Sequence, residues 1–383
     1  MEKKKILLVL NLLGSGGVAK SLINFVKNFS DEFDIDVALF RMDGDLMEDL
    51  PPNANIIHVK GNMKYCHPDV KRHGFERVKM FFIKAWNKVF SNRWPVRYMC
   101  LTSQKLKGYD IVISYAQPVQ RKNLWCGASE YTLFNTKAKK KYVMTHDSYN
   151  PKVYTKSVVK QLAKFDKILA VSKSGMEALK KNIPEIADKC DYIYNSQEVN
   201  EIRELSKKEV EPLEGNFKIV SLCRLSEAKG VPRSLDVMKR LKDDGFDFVW
   251  TIVGDGELRK EVEEKIKALN LEDNVKLIGN KLNPYPYLKQ ADLFYLGSLY
   301  EAAPVVYGEA MLLRIPVLTT ETSSAQELVG DLGFVCENSE EAIYNEFKKL
   351  LENKDLIAEK KKGLDGYEYL NNQIREKIRE LVK

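Results

Sequence analysis

Short apolar runs separated by helix-length segments recur along nearly the whole sequence, and no other feature restricts its possible folds as tightly. A first series comprises Lys5–Leu10, Asp34–Phe40, Asn55–Val59, Tyr109–Ser114, Lys141–Thr145, Lys167–Val171 and Tyr192–Tyr194. A second comprises Lys218–Cys223, Phe248–Val253, Val275–Ile278, Leu293–Leu296, Pro316–Thr319 and Gly333–Cys336. Runs this short, apolar on both faces and spaced by helices, are expected of buried parallel strands in βαβ units. The fold class is therefore α/β, with each series forming its own Rossmann-like, doubly wound sheet. At 383 residues the chain is too long for one comfortable core, which agrees with two domains. Charged residues, Pro212 and Gly215 crowd Asn195–Gly215, so the break is expected there. The expected division is residues 1–197, residues 198–365, and a C-terminal helix, 366–383, crossing back to the first domain. Two such domains are expected to face a central cleft at the carboxyl ends of their strands, where ligands bind.

Composition narrows the class. A hydrophobic fraction of 44% and a charged fraction of 30% suit an ordinary globular protein. No window approaches the roughly 18–20 apolar residues of a spanning helix. The basic Met1–Lys5 and apolar Ile6–Leu10 superficially resemble a leader, but the run leads into Asn11 and a glycine turn. It reads as a first strand. Six cysteines are scattered without a C-x-x-C pair, which favours a reducing, cytoplasmic setting over a disulfide or zinc framework. The net charge is +7, yet Lys60–Lys107 holds twelve Lys or Arg against Asp69 and Glu76. That segment's partner should be anionic.

Three motifs sit at expected strand ends. Gly14-Ser15-Gly16-Gly17 follows the first strand and opens a helix at Val18–Phe29. It is either an ordinary tight turn or a place where backbone approaches an anion at a helix N-terminus. Arg224-Leu-Ser-Glu-Ala-Lys229-Gly230 follows Lys218–Cys223. Its two cations either decorate a solvated turn or converge on one diphosphate. Glu301-Ala-Ala-Pro304-Val-Val-Tyr-Gly-Glu309 follows Leu293–Leu296. Pro304 suits a first helical turn, which frees the amides of Val305 and Val306 for an anion. Glu301 then precedes the helix mouth, and Glu309 lies about 7–8 Å further along it. The alternative leaves Glu309 on the surface and makes Glu301 a dipole partner.

Taken in order, these motifs resemble the large retaining glycosyltransferase family with the GT-B fold, family 4, or glycosyltransferases group 1. The resemblance also rests on Val253-Gly-Asp-Gly256, Asp273–Gly279, Ala291-Asp292 and Ile315-Pro316-Val317. The stretch Thr319–Val329 is similar to enzymes of bacterial capsule and exopolysaccharide assembly. The resemblance implies transfer of a sugar from a nucleotide-sugar donor, with UDP the expected nucleotide, to a saccharide or lipid-linked acceptor. No other cofactor and no metal are implied. Arg224 and Lys229 are implied to bind the donor diphosphate, Glu301 the sugar, and Glu309 the ribose. The backbone near Gly279–Lys281 is implied to read the base, with Gly16 and Gly17 near the phosphates and the acceptor. His146, in Thr145-His-Asp147, matches a position that reaches the transferred sugar, and Asn195 matches an interdomain asparagine. One departure stands out: Ala302 and Ala303 follow the first glutamate where the family has glycine and a bulky residue. It admits either an altered donor choice or a catalytically silent partner subunit that binds nucleotide or glycan without turnover.

Two further segments bear on partners. Asp43-Gly44-Asp45 has the spacing of a metal-binding D-x-D, but its surroundings fit a loop turn better. In Gly74–Phe90, 100° per residue places Phe75, Val78, Phe82, Ala85, Trp86 and Val89 on one face, opposite Arg77, Lys84 and Lys88. Such a helix either lies on an anionic membrane, making the protein peripheral on the inner face, or packs on the sheet. A nicotinamide enzyme leaves Arg224, Lys229 and the glutamate pair unexplained. A nucleic-acid binder lacks any accompanying motif.

Overall fold

A computed structural model describes residues 3–14, 16–66, 74–90, 93–118, 127–147 and 149–383. Ser15, Cys126, the Phe75 side chain and the parts of the basic segment at 67–73 and 91–92 lie outside the described residues. The chain divides into two compact units, Met1–Ser196 with Leu370–Lys383, and Gln197–Tyr369.

The first unit is built on seven strands: β1 (Lys5–Leu10), β2 (Asp34–Leu39), β3 (Asn55–His58), β4 (Leu106–Ser114), β5 (Thr136–Thr145), β6 (Lys167–Ala170) and β7 (Cys190–Tyr192). They pair in parallel in the order β3-β2-β1-β4-β5-β6-β7. The order reverses between β1 and β4, where a doubly wound sheet opens its ligand crevice. Ile6–Leu10 is buried throughout, as the unbroken apolar run requires of a central parallel strand. Helix α1 (Gly17–Phe29) follows β1; α2 (Phe75–Phe90) and α3 (Arg93–Leu101) precede β4. Met80, Ile83, Val96 and Met99 from these two helices join the core with Met63, Tyr65 and Tyr131.

The helix Asn371–Leu381 belongs to this same unit. Ile374, Ile378 and Leu381 form its buried stripe. Arg375 reaches Asp31 and Glu32 at 3.1 Å, and Arg379 reaches Glu32 at 2.6 Å. Arg379 and Arg375 together hold the Glu32 carboxyl below the usual carboxylate range. The Tyr142 hydroxyl donates to the Leu381 carbonyl at 2.9 Å.

The second unit has six strands: β8 (Lys218–Leu222), β9 (Val249–Val253), β10 (Val275–Gly279), β11 (Leu293–Leu296), β12 (Val317–Thr320) and β13 (Phe334–Cys336). All pair in parallel in the order β10-β9-β8-β11-β12-β13, so its reversal lies between β8 and β11. Trp250, Tyr295 and Phe347 pack edge to face in its core, and the Trp250 indole donates to Ser221 Oγ at 2.8 Å.

Candidate active site

In the second unit, the loops leaving β8 and β11 flank the reversal and are stitched to each other. The Leu299 amide donates to the Ala228 carbonyl at 2.8 Å. Arg233, in the helix Val231–Asp243, donates to the carbonyls of Gly297 (2.8 Å) and Ser298 (3.2 Å) and to Asn338 Oδ1 (2.5 Å). Gly230 turns between Lys229 and that helix at φ 63°, and a Cβ there would lie 2.2 Å from the Gly297 oxygen. Only glycine allows both the left-handed turn and the close approach. Gly254 does the same for the neighbouring loop: at φ 149°, its Cβ would stand 1.9 Å from the Cys223 oxygen. The Val253-Gly-Asp-Gly256 motif is therefore the packing that seats the Arg224–Gly230 loop.

On this frame Lys229 Nζ and Glu301 Oε1 form a short, largely buried ion pair. The same Glu301 oxygen accepts from Ser298 Oγ at 2.7 Å, and the Glu301 carbonyl accepts from Ser323 Oγ at 2.7 Å. The helix Val305–Leu312 starts directly after Pro304. The first-turn amides of Val305 and Val306 precede any possible intrahelical acceptor, and the helix dipole there favours negative charge. Gln197 Nε2 donates to the Val305 carbonyl at 2.7 Å and fixes this turn. Glu309 is 1% exposed, which removes the surface reading of that residue.

Arg224 behaves differently. Its side chain is 72% exposed and pairs with Glu257 at 3.0 Å, so it stands beside the clasp and not inside it. Lys281, after β10, lies 5.7 Å from the Tyr287 ring centroid. Cys223 adjoins the ion pair, but burial pushes its thiol up to about 12, which leaves it unsuited to nucleophilic attack.

In the first unit the corresponding reversal brings together the turn after β1 and the ends of β4 and β5. Gly16 caps α1, and its amide donates to the Gly14 carbonyl at 2.8 Å. Among the described residues, a Cβ on Gly16 or Gly17 would meet nothing within 4 Å. Internal packing therefore does not demand glycine at either position, and the space above the helix mouth is open. His146 directly follows β5; its amide donates to Gln117 Oε1 at 3.1 Å, while Gln117 Nε2 donates to the Asp147 carboxylate. Burial, opposed in part by a hydrogen bond to the Tyr115 backbone, takes the His146 imidazole from the ordinary 6.5 to about 4. Its Nε2 is buried without a partner among the described residues. The Tyr115 ring lies 5.4 Å from the imidazole, and its hydroxyl meets Ser21 Oγ at 3.1 Å. That serine donates to Asn195 Oδ1 at 2.7 Å. Asn195 is thus tied to α1 and is more than a bare turn.

Arg41 holds Asp43 (2.5 Å), and a Cβ on Gly44 would lie 2.3 Å from the Leu13 oxygen. Asp43-Gly44-Asp45 is a turn packed on the chain after β1. Among the described residues no group of His, Cys, Asp and Glu has the arrangement of a metal site. None of their helices is long and apolar enough to cross a membrane. Sequence reasoning did not single out Arg233, Ser298, Asn338, Ser323 or Gln117. Arg233 and Ser298 lie three positions from Gly230 and Glu301, and Ser323 falls inside Thr319–Val329, whereas Asn338 and Gln117 adjoin no motif.

Residues 202–367, essentially the second unit, match the family described as Glycosyl transferases group 1. A Campylobacter jejuni protein is 32% identical over 197 residues, half of this chain and 53% of its own. It is the N-acetylgalactosamine-N,N'-diacetylbacillosaminyl-diphospho-undecaprenol 4-alpha-N-acetylgalactosaminyltransferase. The amylovoran biosynthesis glycosyltransferase AmsK of Erwinia amylovora is 37% identical over 121 residues, 30% of each chain. The chain thus spans about half the length, or less, of the curated relatives it matches. Among solved structures, Anabaena HepE in complex with UDP and glucose superposes with a TM-score of 0.69 at 20% identity, covering 99% of both chains. Staphylococcus aureus TarM, in complex with UDP among other ligands, gives 0.71 at 15% identity, covering 99% of this chain and all of that one. These likenesses agree with the GT-B class of two Rossmann-like domains.

Proposed function

We propose that this chain, whose residues 202–367 form a Glycosyl transferases group 1 domain, is a retaining, metal-independent glycosyltransferase of family 4. It moves a hexosyl or N-acetylhexosaminyl group from a nucleotide sugar, with UDP the expected nucleotide, to a saccharide or lipid-linked saccharide. The setting is bacterial surface polysaccharide synthesis, capsule included, at the cytoplasmic face of the membrane. The observation that carries this reading is the Lys229–Glu301 clasp beside the open N-terminus of the helix Val305–Leu312, at the reversal of the second sheet. One cation, free helix amides and a carboxylate at the ends of two adjacent strands suit a diphosphate joined to a sugar. The UDP in HepE and the diphospho-undecaprenol in the Campylobacter relative's name support the donor and acceptor classes.

In this reading the bond between sugar C1 and the phosphate oxygen breaks, and its electron pair leaves with the diphosphate. Lys229, the amides of Val305 and Val306, and Arg224 swung from Glu257 stabilise that charge. The acceptor hydroxyl oxygen bonds to C1 on the same face, and its proton passes to the leaving diphosphate. Glu301 holds the sugar hydroxyls and buried Glu309 the ribose. Lys281 lies at the base, and Gly16 and Gly17 leave room for acceptor or phosphate. His146, neutral at physiological pH, offers a sugar hydroxyl its Nε2. Fixed charge at the leaving group is the principal catalytic effect.

Lys229→Ala is expected to lower turnover at least about a hundredfold, the typical loss for one such contact, while circular dichroism stays unchanged. The measurement is donor consumption across a panel of UDP-, GDP- and dTDP-sugars, with and without lipid extract. Near-normal turnover by the variant removes the assignment.

A further inference from the structure

The sequence reading gave α2 one apolar face and left open whether it packs on the sheet or meets a membrane. The structure gives the helix two apolar faces. Among the described side chains of α2, Met80 and Ile83 join the first unit's core, and Asn87 is also buried. The stripe expected from the sequence points the other way: Val78, Phe82 and Val89 are between 50% and 71% exposed, and Phe81, which that stripe did not include, is 69% exposed. At 100° per residue, Val78, Phe82, Ala85 and Val89 centre about 180° from the packed face. Trp94 and Leu101 of α3 are exposed as well, and Trp86 meets Tyr98 of α3 with ring centroids 6.4 Å apart.

We propose that this outer face of α2, with the exposed side of α3, is an insertion surface for an anionic lipid bilayer. Charge decides among the occupants. Arg77, Lys84 and Lys88 are exposed along one flank of the stripe, between it and the packed face, and none makes an ion pair among the described residues. The only acid on the helix, Glu76, is taken by Lys64 at 2.6 Å and Tyr65 at 3.0 Å. The surface is thus apolar at its crest and cationic on its shoulder, the arrangement that sinks aromatics to the acyl boundary and leaves lysines at the headgroups. A second copy of this chain fits worse, because a two-fold contact through the patch sets these cations against their own images. Apolar groups clustered in this way on a solvated helix mark an interaction surface.

The inference does not depend on the sugar-transfer reading, and its test contains neither donor nor acceptor. Full-length protein is floated with phosphatidylcholine vesicles, with and without phosphatidylglycerol, over a salt series. Binding is expected only with the anionic lipid and is expected to weaken as salt rises. Phe81→Ser with Phe82→Ser should lower affinity by about tenfold or more at constant charge. Lys84→Gln with Lys88→Gln should cost roughly fivefold per charge. Both pairs lie on the surface, so thermal melts should match the parent protein. Equal binding to neutral and anionic vesicles, or full binding by the phenylalanine variant, overturns the proposal. So does sedimentation showing a dimer that the phenylalanine variant dissolves while vesicles are ignored.

Discussion

Lys229 and Glu301 stand 72 positions apart in sequence, yet their charges meet because the loops of two adjacent parallel strands end together. His146 shows the opposite economy, a titratable ring held neutral by burial. Its pKa falls on folding from 6.5 to about 4, so between those values the unfolded chain binds the extra proton. The native state therefore keeps this stability above pH 6.5 and loses it as pH falls towards 4, by up to about 3 kcal/mol at 1.36 per unit. Urea titrations through that window should show the loss in the parent protein and a flatter profile in His146→Gln. Identical profiles would mean that the imidazole is already accessible to protons. At this scale the charged motifs were legible because Arg, Lys and Glu beside glycine and proline punctuate strand ends. Arg233 and Asn338 were not, since they act on backbone carbonyls that distant loops supply. A sequence shows no carbonyl as special.

At the scale of elements, the strand cores were legible and some of their ends were not. β5 begins at Thr136, five residues before the apolar run, because Lys137, Lys139 and Lys140 form an exposed, basic start that hides the strand. β4 likewise reaches back to Leu106, past a register shift between Lys107 and Tyr109. The orientation of α2 stayed open for a different reason: periodicity reports how apolar residues cluster, not which cluster meets the core. The helix Asn371–Leu381 has one buried stripe, so its energetics are simpler. Ile378→Ala should cost about 2–4 kcal/mol, the range for emptying a buried isoleucine site, read from the unfolding of the first unit. A change under about 0.5 kcal/mol would mean that the ion pairs with Asp31 and Glu32 hold the helix without its apolar stripe.

For the molecule as a whole, the two sheets have separate cores and separate site residues. If the nucleotide binds at the β8 and β11 loops, UDP at about a hundred times its Kd stabilises the second unit by about 2.7 kcal/mol. Hydrogen exchange should then slow around residues 224–230 and 298–309, whereas the β2–β3 edge of the first unit keeps its rate. Uniform slowing, or none near Lys229, would place the nucleotide elsewhere. The βα rhythm made this bipartite plan readable from sequence alone, since each sheet is written as a contiguous series of runs.

One part of the plan is not contiguous, and it bears on how the protein is made. The helix Asn371–Leu381 completes the unit that begins at the amino terminus, but a ribosome reaches it only after producing all of Gln197–Tyr369. At about 5–20 residues per second, that interval is roughly 10–35 s. For that time the nascent first sheet waits with Asp31, Glu32 and the Tyr142 hydroxyl unmatched and with the seat of Ile374 and Ile378 bare. The portion translated earliest is therefore the last to be finished, and a stalled or nicked chain harms the end farthest from the break.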